Sequence, residues 1–240
     1  MPQERYNVEE DSIMCGRIDL HNSVEELAER FAAEYADGLL FSPGYNFAPT
    51  EALPVILPYE NGRLITLQRW GMIPFSKGQP PLFNARSDKL MELGRYRVGI
   101  EKRRCVIPIS GFYEWKRVGK DRIPYHIRAL DREIVGLAGF WEGPNNRVEG
   151  RSCTIITTDA SEILSPMYHR MPVILTREAE EIWLNPEIVN VDELVSLMQP
   201  YADNLTGFVS VGPAVNKATN KGPECLTPDT SEPAQLSMFG

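Results

Sequence analysis

The stretch Leu53-Pro54-Val55-Ile56-Leu57-Pro58-Tyr59-Glu60-Asn61-Gly62-Arg63-Leu64-Ile65-Thr66-Leu67-Gln68-Arg69 carries the pattern on which the fold class turns. Two apolar runs, Val55-Ile56-Leu57 and Leu64-Ile65-Thr66-Leu67, flank Asn61-Gly62, a dipeptide that tolerates the positive φ angles of a type I′ turn. This predicts a β-hairpin from Leu53 to about Arg69. Further runs predict strands at Arg104–Ile109, Phe112–Arg117, Pro124–Ala129, Ile134–Gly139, Ser152–Thr157, Pro172–Leu175 and Phe208–Val211. On the N-terminal side, Ser23-Val24-Glu25-Glu26 is a capping box opening an amphipathic helix to about Tyr35, with Val24, Leu27 and Phe31 on one face; Pro43-Gly44 then breaks the chain. Short helices fit Ser161–Ser165, Arg177–Leu184 behind a Thr176 cap, and Val191–Met198. No repeat and no regular strand–helix alternation is present, which argues against a doubly wound parallel sheet. The expectation is an α+β single domain with a mostly antiparallel, barrel-like β core flanked by helices.

The 240 residues, 42% hydrophobic and 24% charged, suffice for one sizeable core. There is no apolar run of membrane-spanning length, and Met1-Pro2-Gln3-Glu4-Arg5 lacks the basic-then-apolar order of a signal peptide, so a cytoplasmic protein without membrane contact is expected. Cys15, Cys105, Cys153 and Cys225 form no CxxC pair, and His21, His126 and His169 stand apart; neither a metal nor a cofactor is expected. The net charge of −8 argues against an indiscriminate nucleic-acid binder, yet Arg63 to Arg132 holds 16 Lys and Arg against 6 Asp and Glu. A basic middle inside an acidic chain can build a local anion-binding face.

Polar and aromatic residues concentrate in a few stretches: Met14-Cys15-Gly16-Arg17, Trp70-Gly71-Met72-Ile73-Pro74, Phe83-Asn84-Ala85-Arg86-Ser87-Asp88, Gly111-Phe112-Tyr113-Glu114-Trp115 and Tyr168-His169-Arg170-Met171-Pro172. Tyr45-Asn46-Phe47-Ala48-Pro49-Thr50, Arg104-Cys105-Val106-Ile107-Pro108, Thr157-Thr158-Asp159-Ala160 and Asn216 through Glu224 accompany them. In this order and spacing the stretches resemble the SOS response-associated peptidase (SRAP) family of abasic-site DNA–protein crosslinking proteins, from Met14 to about Thr227. The resemblance implies a domain whose N-terminal cysteine forms a thiazolidine with the aldehyde of an abasic site in single-stranded DNA.

The chemistry stands on its own terms. A neutral amine attacks the open-chain aldehyde to give a Schiff base, and a neighbouring thiol closes it into a five-membered ring. An N-terminal cysteine offers both groups. At pH 7 an α-amine is roughly 15% neutral, whereas a lysine is roughly 0.04% neutral. By resemblance, Asn84 would position the Cys15 amine or the sugar, and Glu114 would shuttle protons. Arg86 and Arg170 would contact DNA phosphate, and Trp70 would offer a base an aromatic platform; Arg17 would hold a phosphate or favour the Cys15 thiolate. One position departs from the family pattern His-x-Arg-Met-Pro: the register to Arg170 puts Tyr168 at the histidine and His169 at the intervening position. Either a phenol replaces the imidazole in opening the sugar ring, or His169 reaches the site by a local shift.

While residues 1–14 remain attached, the Cys15 nitrogen is an amide and forms no imine. Residues 1–13 read as a disordered acidic leader or a mis-assigned start, so Cys15 is freed either by translation from Met14 or by cleavage. Residues 14–227 form the domain and 228–240 a flexible tail. The tail ends Gln235-Leu236-Ser237-Met238-Phe239-Gly240, which looks like the pentapeptide that docks bacterial repair proteins on the replicative sliding clamp; the rival is that Leu236 to Phe239 folds back on the body. Alternatives to covalent capture are a thiol peptidase or autopeptidase using Cys15, and a non-covalent single-strand-binding module. A monomer is expected.

Overall fold

A computed structural model describes residues 16–60, 62–74, 80–90, 92, 94–143 and 151–229. Its N-terminal part contains β1 (Ile18–Leu20), α1 (Val24–Phe31), β2 (Glu34–Tyr35), β3 (Gly44–Phe47), β4 (Ala52–Tyr59), β5 (Gly62–Trp70) and β6 (Asn84–Arg86). The middle supplies α2 (Gly94–Lys102), β7 (Arg104–Ile109), β8 (Gly111–Val118), β9 (Asp121–Ala129), β10 (Val135–Glu142) and β11 (Ser152–Asp159). β12 (Arg170–Pro172), β13 (Ile174–Leu175), α3 (Arg177–Leu184), α4 (Val191–Ser196) and β14 (Thr206–Ser210) follow.

The strands form two sheets. One runs β14-β9-β8-β1-β3, all antiparallel. The other runs β12-β11-β10-β7-β4-β5-β2, with β13 added on β10 and β6 on β11. A short parallel contact, Ser152 with Arg69 and Cys153 with Trp70, joins β11 back to β5. It closes β11-β10-β7-β4-β5 into a ring around the core. The architecture is the expected α+β, mostly antiparallel one, with a ring-like sheet rather than a strict barrel. All six residues of β7 are buried, as are Leu53, Val55, Ile56 and Leu57 of β4, because both faces of the ring wall are covered.

A single side chain ties helices to this wall. The buried guanidinium of Arg104 donates to the carbonyls of Ile100 and Glu101 at the end of α2, and of Trp183, Asn185 and Ile188 around the end of α3. One cation thereby satisfies carbonyls that two helix C-termini leave without intrahelical partners.

Several local expectations shift. The hairpin forms, but Tyr59 pairs with Gly62, so the connection begins at Glu60 (φ 46°), one residue before the predicted dipeptide. The capping box is present and buries Val24, Leu27 and Phe31, yet α1 stops at Phe31 instead of near Tyr35. Ala32 adopts the left-handed conformation and its N–H closes on the last turn, freeing Glu34–Tyr35 to pair with Leu64–Ile65. Ser161–Ser165 is a series of turns and no helix; Pro166 disfavours the helical conformation of the residue before it. Pro172–Leu175 divides between β12 and β13, and α4 ends at Ser196. Helix α2 was hidden because Gly94 and Gly99 lower its propensity. Gly99 is dictated by packing: a Cβ there would lie 2.4 Å from the Phe140 ring.

Candidate functional site

Strand β1 lies between β3 and β8, with Ile18 opposite both Phe47 and Phe112 and Asp19 opposite Gly111. The ladder extends one residue further, where the Tyr113 N–H donates to the Arg17 carbonyl at 3.0 Å. The Arg17 side chain bends toward the C-terminal part of the domain. Its Nη1 donates to the Val215 carbonyl at 2.6 Å and to Asn46 Oδ1 at 3.1 Å, and its Nη2 reaches the Asn216 carbonyl at 3.5 Å. Trp115 stands beside it, ring centre 5.8 Å from the guanidinium carbon, with its indole N–H donated to Asn216 Oδ1 at 2.8 Å. Glu114, next to Tyr113 on β8, is buried. The candidate nucleophile Cys15 lies outside the described residues; covalently it is the neighbour of Gly16, about 3.8 Å away between Cα atoms.

A second group gathers around β11. Strand β6 runs parallel to it, pairing Ile155 with Asn84 and Thr157 with Arg86. Arg86 grips Asp88 through Nε and Nη2 at 3.0 and 2.7 Å, and both side chains are about half exposed. The hydrogen bond from Arg86 holds the Asp88 carboxyl below its ordinary range against the opposing effect of burial. Arg170, opening β12, is 2% exposed and donates to Asp159 Oδ1 and the Thr157 carbonyl, each at 2.6 Å. Asp88 comes within 3.5 Å of the same guanidinium. Just ahead, the rings of Tyr168 and His169 lie 4.4 Å apart; His169 is exposed and Tyr168 half-buried.

Two expected DNA contacts need correction. Trp70 is fully buried and gives its indole N–H to the Phe83 carbonyl at 2.9 Å, so it has no face to offer a base. The exposed apolar side chain of that stretch is Ile73, at 72%. Arg170 is likewise enclosed, and its hydrogen bonds tie β12 to β11. Arg86 remains at the surface.

Over residues 14–218 the chain matches the family model described as SOS response associated peptidase (SRAP). It is 38% identical over 224 residues to the abasic site processing protein YoqW of Bacillus subtilis, covering 89% of this chain and 99% of that one. The chain belongs to the SRAP family. The abasic site processing protein HMCES of Pongo abelii is 31% identical, over 90% of this chain and 76% of its own. Among solved structures, the fold of this SRAP protein matches a protein from Bacteroides thetaiotaomicron with a TM-score of 0.79 and 26% identity, covering 90% of this chain and all of the other.

The SRAP domain also holds polar groups that residue spacing did not disclose. His21 and His126, expected to stand apart, both bind Asp19: His21 Nδ1 lies 2.6 Å from one carboxylate oxygen and His126 Nε2 2.7 Å from the other. Asp19 is fully buried, and burial alone would raise its pKa. The two imidazole hydrogen bonds outweigh that and bring it below the ordinary value, while the bond to Asp19 raises that of His21. Gly111 makes room, since a Cβ there would sit 2.2 Å from His126 Nε2. The available signal was Asp19-x-His21, an i, i+2 pair at the end of β1; the partner of Asp19 from β9 is 107 positions away. Cys105, Cys153 and Cys225 are buried and free. Among the described residues no group of three or more His, Cys, Asp or Glu side chains is placed to hold a metal, and no helix is long and apolar enough to cross a membrane.

Proposed function

We propose that this protein captures abasic sites in single-stranded DNA covalently, with Cys15 as the reacting residue once it stands at the N-terminus. The observation that carries the reading is the register of β1: Arg17 faces Tyr113, so the next position back, Gly16, runs toward buried Glu114. The residue before Gly16 is Cys15, and relatives matched over 89% and 90% of this chain are named abasic site processing proteins.

In this scheme the neutral Cys15 amine adds to the C1′ aldehyde and the adduct loses water to form an imine. The Cys15 thiol then adds to the imine carbon, its proton passing to the nitrogen, and the ring closes with one water released overall. Glu114 accepts and returns the protons. Asn84 positions the amine or the sugar, and Arg86 meets a phosphate. Tyr168 or His169 assists ring opening; at neutrality an imidazole is the better proton carrier and a phenol the slower one. Arg170 and Trp70 act from inside, by fixing β12 and the turn after β5.

A denaturing gel tests this directly. An oligonucleotide with one abasic site should become attached to protein whose terminus is Cys15, and attachment should vanish with Cys15→Ser or with one extra residue before Cys15. Attachment that survives Cys15→Ser overturns the proposal. Mass spectrometry of active protein should find the terminus at Cys15; active protein with residue 14 still attached would contradict the amine's role.

The terminal Gln235-Leu236-Ser237-Met238-Phe239 lies outside the described residues and supports a second element of the reading, docking on a replicative sliding clamp. Such a tether would raise the local concentration of the protein at replication forks. A labelled peptide of the last ten residues should bind purified clamp and lose binding with Gln235→Ala or Phe239→Ala; equal binding by the variants would refute it.

A further inference from the structure

We infer that Asn46 is a positioning residue for covalent capture: it fixes Arg17, and through Arg17 the short stretch of backbone that leads to Cys15. The inference rests on Cys15 being the reacting residue. Asn46 is fully buried on β3, and both polar atoms of its side chain are engaged. Oδ1 accepts from Arg17 Nη1 at 3.1 Å, while Nδ2 donates to the carbonyls of Val215 and Lys217 at 3.1 and 3.0 Å. The Val215 carbonyl is the one that also accepts from Arg17, so β1, β3 and the 213–217 segment converge on one amide.

A latch closes over it. Lys221 Nζ binds the Asn46 backbone carbonyl at 2.6 Å and both Glu51 carboxylate oxygens at 2.7 and 2.6 Å, while the Lys221 carbonyl accepts from the Tyr45 N–H. β1 is three residues long, and its ladder with β8 reaches as far as the Tyr113 N–H to Arg17 carbonyl bond. The Arg17 side chain adds a further anchor at that end, and imine formation requires the amine to be held at attack distance. A misplacement of about 1 Å can cost a hundredfold in rate. An aspartate cannot substitute: it keeps the acceptor for Arg17 but turns a carboxylate toward two carbonyls, losing both donated bonds.

The test uses full-length protein with a free Cys15 terminus and an abasic oligonucleotide. Single-turnover crosslinking is followed across protein concentrations, to separate the limiting rate from the half-saturating concentration. Asn46→Asp should lower the limiting rate by about tenfold or more while the half-saturating concentration stays within about twofold. Lys221→Met, at a partly exposed position, should lower the same rate to a smaller degree and keeps the test open should Asn46→Asp fail to fold, which melting curves will reveal. Folded variants that crosslink at the wild-type limiting rate overturn the inference, as does a loss confined to half-saturation. If wild-type protein itself forms no Cys15-dependent crosslink, the reading of Cys15 falls first; if it does and the variants match it, only the role of Asn46 falls.

Discussion

Arg17 and Arg170 were expected to do the same thing, and the structure holds them in opposite ways. Arg17 reaches from β1 into carbonyls and an amide: Val215, Asn216 and Asn46. Such neutral acceptors orient a guanidinium. Arg170 sits among Asp159, Asp88 and the Thr157 carbonyl, where carboxylates both orient and compensate it. The first arrangement suits a side chain that holds the backbone leading into β1. The second suits a structural tie. Residue type names the available bonds; the surrounding backbone decides which are made.

The contrast predicts a graded series. Arg170→Met should give the largest loss of stability, about 2–3 kcal/mol, because it strands the buried Thr157 carbonyl; for a chain of this size that lowers Tm by roughly 4–12 °C. Arg17→Met should destabilise by only about 1 kcal/mol yet slow crosslinking more than Arg170→Met does at equal folded fraction. If calorimetry and gels rank the two alike on both measures, the distinction is void.

The β1 region also carries its own titration. His21 is raised above 6.5, so its contribution is complete below that value and is lost as pH rises through the folded-state pKa. Asp19 is lowered from 3.8, so its contribution is complete above that value and is lost as pH falls through the folded-state pKa. Melting temperatures of wild type and Asp19→Asn should therefore differ most between about pH 4 and 6.5 and converge toward higher pH; a gap that widens above pH 7 would contradict this.

The smallest stability effect belongs to Arg86→Ala. Removing its exposed pair with Asp88 should leave the melting temperature essentially unchanged, but the salt dependence of single-strand binding should flatten by about 0.7 in log–log slope if Arg86 meets one phosphate. An unchanged slope would remove it from the interface.

Much of the fold was legible because its signals are local. The hairpin followed from two apolar runs and a turn, α1 from the capping box with Val24, Leu27 and Phe31, and α3 from Thr176. Errors fell where a distant partner overrode local preference: β2 captured Glu34 and Tyr35 from the expected helix, and Phe140 required Gly99 inside a helix of low propensity. At the site, sequence nominated Arg17, Glu114 and Arg86 as polar residues worth locating. It misjudged Trp70, since an aromatic beside a glycine reads alike whether buried or exposed.

The charge count shows the same division. Between Arg63 and Arg132 the basic excess suggested a DNA-facing surface, yet Arg104 is spent on helix-end carbonyls, Arg63 on Phe31 and Glu181, and Arg95 on Glu142. By itself the sequence determined the α+β class, most of the longer strands and the family, because each follows from side-chain identity at short range; the short strands β1, β2, β3 and β6 carry too little local pattern to be read that way. Only the tertiary structure decided that Asn46 braces Arg17, that Asp19 joins two histidines, and which arginines remain for a ligand. The reason is that every residue carries the same carbonyl, and its value as a partner depends on where the chain turns it.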